Sequence, residues 1–337
     1  MLKEITTIKH IADYTGVSFK TVSRVINGSN GVRLEKRLKV EEAIKKFQYR
    51  PNIGARSIRT RLSQVVGFIS DYITSTPFAV DVVHGAEVMA WEHDRMLLVV
   101  NTQSNRTVLE QAIEMMLSRQ VEGIIYAAMY HREVEMPNSI KQVPAILVNC
   151  FSRDRSIKSV VPDEFEAGKC ATEILIKKGH TRIALINLPD DSAAAQGRLA
   201  GYIYALEKYG ITYNPNYVIP GIVRNTNGEK NIAHESAIHL LVQNNPPTAI
   251  FCGNDRIAMC VFDAVKENGC SIPDDVAIIG FDNQEVIATN LRPSLSTMAL
   301  PHKKMGSWAI DQLLNCNDSD SLVQKKMECK YIMRKSV

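Results

Sequence analysis

Eight short apolar runs punctuate the chain from Val65 onward: VVGFIS, MLLVVN, GIIYAA and AILVNC in one group, then RIALIN, YVIPGIV, AIFCGN and VAIIGFD in a second. Between them lie crossover-length stretches with helical patterning. Strands covered on both faces and separated by such crossovers form parallel sheets with helices on both sides. Eight of them over about 230 residues suit two doubly wound domains rather than one.

At 337 residues the chain is long enough for two or three compact units. Its apolar and charged fractions are ordinary for a globular protein, which excludes disordered, collagenous and disulfide-scaffold classes. The seven cysteines include no C-x-x-C pair, and several sit inside apolar runs such as AILVNC and IFCGN. They read as small buried hydrophobes in a reducing compartment. The N-terminal MLKEITTIKHIADYTG lacks the unbroken apolar segment of a signal peptide, and no run approaches membrane-spanning length, so the expected location is the cytoplasm.

Charge divides the chain. Residues 1–62 hold 14 Lys/Arg against 5 Asp/Glu, whereas residues 63–337 hold 26 against 31. A basic head on a mildly acidic body is the asymmetry of a protein whose small domain meets a polyanion. Within that head, Thr7 followed by Ile8, Ile11 and Ala12 predicts a capped helix that stops at Gly16. Ser18 then caps a second helix from Phe19 to Ile26, ended by Asn27 and Gly28. Two short helices joined by a glycine turn make a helix-turn-helix candidate. Val22, Val25 and Ile26 form the packing face of the second helix, and Lys20 and Arg24 share the other side with Thr21 and Ser23 nearby. Guanidinium, ammonium and hydroxyl groups are what read phosphates and base edges in a major groove. Phe19 suits either that face or the core. A third helix carries Val40, Ala43, Ile44 and Phe47 at core spacing. Pro51 breaks it, and YRPNIGARSIRTR follows as a weakly helical linker in which Gly54 costs about 1 kcal/mol.

The pair of motifs GVSFKTVSRVIN and YRPNIGARSIRT, in that order, resembles the DNA-binding head and hinge of the lactose repressor family of bacterial transcription regulators. The resemblance implies that Phe19, Lys20 and Arg24 meet base edges. It places Thr21, Ser23 and Asn27 at the DNA backbone or as buttresses. Ile58 falls where the family inserts a leucine wedge into the minor groove, with Ala55 and Arg56 lining the same hinge. The segment VRLEKR departs from the family's Ser-Pro helix start, since Arg33 and Leu34 cannot cap as serine does.

The resemblance extends through QGRLAGYIYALEKYG, FCGNDRIAMCVFDAVKENG, IPDDVAIIGFDN and LRPSLSTM. These are similar to the family's effector-binding core, whose fold is shared with periplasmic sugar-binding proteins. The implied architecture is an all-α helix-turn-helix head plus an α/β core of two doubly wound parallel-sheet subdomains. Expected bounds are 1–50 for the head, 51–62 for the hinge helix, 63–162 with 292–322 for one subdomain, and 163–291 with 323–337 for the other. Read from the residues alone, strand ends carry Asp71, Asn101, Asn149, Asn254, Asp255 and Asp282, amide and carboxylate groups suited to a polyol. By the resemblance, Arg198, Asn254 and Asp282 hold the effector's hydroxyl or anionic groups, Phe78 stacks on it, and Asp71 and Asp163 are further candidates. The loop RNTNGEKN lacks the aromatic that relatives offer there.

No phosphate loop, dinucleotide fingerprint, zinc-protease motif or nucleophile elbow occurs, and the histidines lack metal-ligand spacing. The expectation is therefore a non-enzymatic, homodimeric regulator without cofactor or metal, reading a pseudo-palindromic operator in double-stranded DNA under control of a small effector, a carbohydrate. The rival reading, a stand-alone sugar receptor, calls for a signal peptide and no basic head.

Overall fold

The computed structural model describes residues 6–49, 63–72, 80–225, 228–315 and 323–337. The chain divides into two units, Met1–Ser63 and Gln64–Val337.

The head holds α1 (Ile8–Thr15), α2 (Phe19–Ile26) and α3 (Leu34–Lys46). Thr7 starts α1 through a reciprocal box: its hydroxyl accepts from the His10 N–H while His10 Nδ1 accepts from the Thr7 N–H. Gly16, at φ +63°, ends it in the left-handed conformation that glycine adopts without a Cβ penalty. Ser18 caps α2 by accepting from the Thr21 N–H. Arg33 gives α3 no side-chain cap, as its sequence implied. Ile11, Val17, Val22, Val25, Val40 and Ala43 form the small core. Phe47 departs from expectation. It lies one residue past α3, 36% exposed, edge-on to Tyr14 with ring centroids 4.9 Å apart.

The second unit is built from two six-stranded sheets. The first contains β1 (Val65–Ser70), β2 (Met96–Asn101), β3 (Ile124–Val134), β4 (Ala145–Ser152), β5 (Lys158–Pro162) and β13 (Gln324–Met327), in the order β13-β5-β4-β3-β1-β2, all parallel. Helices α4 (Val80–Glu92), α5 (Arg106–Ser118) and α11 (His302–Asn315) belong with it. The second contains β6 (Ile183–Asn187), β7 (Val218–Pro220), β10 (Ala249–Cys252), β11 (Ala277–Asp282), β12 (Ser296–Ala299) and β14 (Lys330–Ile332), in the order β14-β12-β11-β10-β6-β7, with only β14 antiparallel. Its helices are α6 (Glu164–Lys177), α7 (Ala193–Lys208), α8 (Ala233–Leu241), α9 (Asp255–Glu267) and the short α10 (Glu285–Ala288). A two-stranded ribbon, β8 (Ile222–Asn225) with β9 (Gly228–Asn231), completes this half. Among the described residues no helix is long and apolar enough to cross a membrane.

The expected subdomain bounds at 292 and 323 shift. Residues 296–299 pair with β11 and bury Met298 in the second half's core, so the return to the first half comes only with α11. Residues 324–327 pair with β5, so the final crossing follows β13. Two strands also differ from the pattern of double burial. MLLVVN is an edge strand and is partly exposed. YVIPGIV splits at Gly221 into β7 and β8, and glycine is required there because a β-carbon would sit 2.8 Å from Ile257 and 2.9 Å from Ile186.

Two local features prepare the site. In β3, Ala127 pairs with Val148 and Arg132 with Cys150, so Ala128–His131 stand as a bulge against Asn149 alone. In the second half, α6 and α7 cross with backbones nearly touching. A β-carbon on Gly168 would collide with the backbone of Arg198, and one on Gly201 with the Phe165 carbonyl. Replacing Gly168 by alanine should therefore destabilise the Gln64–Val337 unit by about 1–3 kcal/mol in urea denaturation, the usual cost of overpacking; an unchanged midpoint would mean the crossing is loose.

Candidate effector cleft and DNA-reading helix

Helix α2 separates its two faces as its sequence demands. Val22 and Val25 are buried and Ile26 half-buried, whereas Lys20, Arg24 and Asn27 are exposed. Phe19 is 55% exposed, which removes it from the core and leaves it beside Lys20 at the start of the solvent face. Thr21 shares a 3.0 Å hydrogen bond with the Ser18 hydroxyl, and the Asn27 amide donates to the Ser23 carbonyl at 2.7 Å. These polar groups thus tie down the helix ends. Ala55, Arg56 and Ile58 lie outside the described residues, as does Phe78.

Between the two sheets of the second unit opens a cleft lined by residues of both halves. Asn254 and Asp282 line it from strand ends and Arg198 from the first turns of α7. Asn254 caps α9, its Oδ1 accepting from the Ile257 N–H at 2.8 Å. Asp282 sits at φ +104°, a conformation costing a non-glycine residue on the order of 1–3 kcal/mol and held where surroundings enforce it. The next two residues are themselves tied down: Asn283 accepts from Arg334, and the Gln284 N–H donates to Asp255.

Arg198 is 2% exposed. Its Nε donates to Glu164 Oε2 at 2.8 Å, its Nη1 donates to the Gly253 carbonyl, and its guanidinium lies 3.5 Å over the Phe281 ring. Glu164 also meets His131 Nδ1 at 3.3 Å, joining the first-half bulge to the second half across the cleft. Burial pushes the Glu164 carboxyl up, but Arg198 and His131 together outweigh it and bring it down to about 2.

Asp71 and Asp163 are not among the cleft-lining residues. Asp71 is buried and accepts from the N–H groups of Met129 and Tyr72, at 2.8 and 2.6 Å, and from Arg132 at 3.0 Å. It staples the bulge instead of facing the cleft. Asp163 caps α6 by accepting from the Glu166 N–H. Of the other strand-end groups, Asn149 lines the cleft, its amide donating to the Ala128 and Met129 carbonyls. Asp255 is fully buried behind it.

Sequence reading missed Tyr130, His131, Glu164, Arg224, Glu229 and Arg256, all of which line the cleft. Glu164 and Arg256 stand next to residues it did single out, Asp163 and Asp255, so one step of local geometry separates them. RNTNGEKN contributes Arg224 and Glu229, charged where an aromatic was sought. Among the described residues Tyr130, 44% exposed, offers the cleft a phenol ring, delivered by a bulge that no periodicity announces.

Burial raises the Asp255 carboxyl to about 7, despite hydrogen bonds from Thr297 and Gln284. Burial likewise pushes Asp282 well above the carboxylate range, with Arg198 offsetting part of the effect. An unfolded aspartate releases its proton near pH 3.9, so between about 4 and 7 the folded state holds the extra proton, and stability contributed by this group falls as pH rises. Asp255→Asn should flatten that decline in urea midpoints measured from pH 4 to 7.5; a slope matching wild type would mean Asp255 is already ionised at pH 4.

Known proteins resemble the chain over nearly its whole length. The family model described as periplasmic binding proteins and sugar binding domain of LacI family matches residues 63–335, and that of bacterial regulatory proteins, lacI family, matches residues 7–52. The ribose operon repressor of Escherichia coli K12 is 30% identical over 331 residues, covering 98% of each chain. The HTH-type transcriptional repressor PurR of Pasteurella multocida is 29% identical over 339 residues, covering 99% of each. In fold, the Lac repressor bound to ONPG in its repressed state superposes with a TM-score of 0.80 at 23% identity, covering 99% of this chain and 100% of that one. Head and core both match, which favours a DNA-binding regulator over a receptor lacking a head. The chain belongs to the LacI family of bacterial regulatory proteins, a helix-turn-helix head followed by a periplasmic-binding-protein-like core.

Proposed function

We propose that this family member is a repressor that binds a pseudo-palindromic operator as a homodimer and changes its affinity when a small carbohydrate occupies the cleft. The observation that carries the reading is the conjunction of an exposed cationic face on α2 with a cleft lined by preorganised polar groups. Lys20 and Arg24, with Phe19, read base edges in the major groove, while Thr21, Ser23 and Asn27 fix the helix against the DNA backbone. Ala55, Arg56 and Ile58, in the segment 51–62 whose sequence matches the family hinge, serve the adjacent minor groove.

In the cleft, Asn254 and Asp282 bind effector hydroxyls, and Arg198 orders the floor on which they sit. Phe78, outside the described residues, keeps its expected stacking role, and Tyr130 offers a ring at the cleft. Asp71 and Asp163 act one step removed, by holding the bulge and the start of α6. That the relatives include repressors named for the ribose operon supports a sugar. A second copy of the chain has an apolar patch to cover: α4 exposes Trp91 at 72%, and the neighbouring edge strand exposes Met96 at 64%. Effector binding is coupled to operator binding by about 1–3 kcal/mol, the usual scale between two sites. The work is done in the cytoplasm, at the nucleoid.

A mobility-shift assay with DNA from the protein's own promoter region, with and without candidate sugars, tests the reading. Lys20→Ala or Arg24→Ala should relax base preference by about 1–3 kcal/mol per lost contact; a uniform loss on all sequences would confine them to phosphate. Asp282→Ala should abolish the effector response and leave operator affinity intact, and an unaltered response would remove Asp282 from the site.

A further inference from the structure

The floor of the cleft raises a question of charge. Arg198 is the cation buried there, and a cation in a ligand cleft ordinarily invites an anion. Here Glu164 has already answered it: the pair is 2.8 Å apart with side chains 3% and 4% exposed. The match is built into the fold. Close approach of α6 and α7 is permitted at Gly168, Gly197 and Gly201, and at Gly197 a β-carbon would stand 2.5 Å from that of Glu164. With Nε on Glu164 and Nη1 on Gly253, two of the three guanidinium nitrogens are committed.

The remaining charges do not reopen the floor to anions. His131 faces Glu164 itself. Asp282 beside the pair contributes nothing when protonated and a negative charge when ionised, so the sum of Arg198, Glu164 and Asp282 is zero or negative. Arg224 is held between Asp191 and Glu229, at 2.5 and 2.8 Å. Arg256 is exposed at the rim, where solvent screens it. A phosphate on the floor would lie against the Glu164 carboxylate without, among the described residues, a free buried cation to pair with, and an unpaired buried charge is strongly disfavoured.

We propose that Glu164 is a specificity-determining residue: by neutralising Arg198 it restricts the effector to uncharged, hydroxyl-rich molecules and shuts out phosphorylated or carboxylate-bearing ones. This rests on the cleft being the effector site. Neutral hydroxyls donate to Glu164, Asp282 and the Asn149 carbonyl oxygen without adding charge.

Both tryptophans, Trp91 and Trp308, lie in the Gln64–Val337 unit, so tryptophan-monitored urea denaturation of the full chain follows the core and not the basic head. Inorganic phosphate is the probe, against sodium chloride at equal ionic strength and kept to about 10 mM so that its general stabilising effect stays small. Glu164→Gln keeps the shape and an acceptor for Arg198 while removing the negative charge. The wild-type midpoint should not respond to phosphate. That of E164Q should rise saturably, with phosphate bound about tenfold or more tightly than by wild type, a difference of about 1.4 kcal/mol. A saturable rise in wild type, or a flat response in a folded E164Q, would overturn the proposal. Should E164Q not fold, wild type titrated with phosphate and with D-ribose 5-phosphate still decides: saturable stabilisation by either overturns it, and none upholds it. Operator binding is read separately by mobility shift, so a phosphate-responsive core would sink the charge rule while leaving the regulator intact.

Discussion

The Glu164–Arg198 ion pair is the contact around which the core is arranged. Burying two charges costs several kcal/mol per ion unless geometry and further hydrogen bonds compensate. The chain meets that demand by letting α6 and α7 touch backbone to backbone, by stacking the guanidinium on Phe281, and by giving its Nη1 the Gly253 carbonyl. Gly253 precedes Asn254, the cap of α9, and Phe281 precedes Asp282. The same pair that closes the helix crossing therefore sets the two strand ends from which the ligand-facing groups project.

The first half contributes by a different device. The bulge at Ala128–His131 would leave backbone groups unpaired, and buried unpaired amides are costly. Asp71 accepts the Met129 N–H while Asn149 donates to the Ala128 and Met129 carbonyls, so the bulge is satisfied from both neighbouring strands. His131 then reaches Glu164, and the two halves meet at the carboxylate that also fixes Arg198. The His131–Glu164 contact is thus one link between the halves at the edge of the cleft.

Much of this was legible in the sequence, for identifiable reasons. Doubly covered strands leave unbroken apolar runs, and AILVNC, RIALIN and VAIIGFD each became one. Helix caps are single-residue signals, so Thr7, Ser18 and Gly16 could be placed exactly where hydrogen bonding requires them. Arg198, Asn254 and Asp282 came from matching motifs and do share one cleft. What the sequence hid were consequences of tertiary geometry. The bulge depends on a register shift that no local pattern encodes. Glu164 was not singled out, because only the packing of α7 against α6 shows that its carboxylate meets Arg198. Asp71 carried the right chemistry at the right strand end, but its lone pairs were already spoken for by Met129, Tyr72 and Arg132. The crossings after β12 and β13 escaped because short strands such as STMA and QKKM belong to a sheet by pairing, not by composition.

The most direct test of the central claim is selection of bound DNA by the full-length protein from a random-sequence library, followed by sequencing of what is retained. A dimeric helix-turn-helix regulator should enrich one motif with two inverted half-sites centred about one helical turn apart. Retention of DNA with no motif above the starting library, at every salt concentration tried, would contradict it and leave a basic head that binds nucleic acid by charge alone.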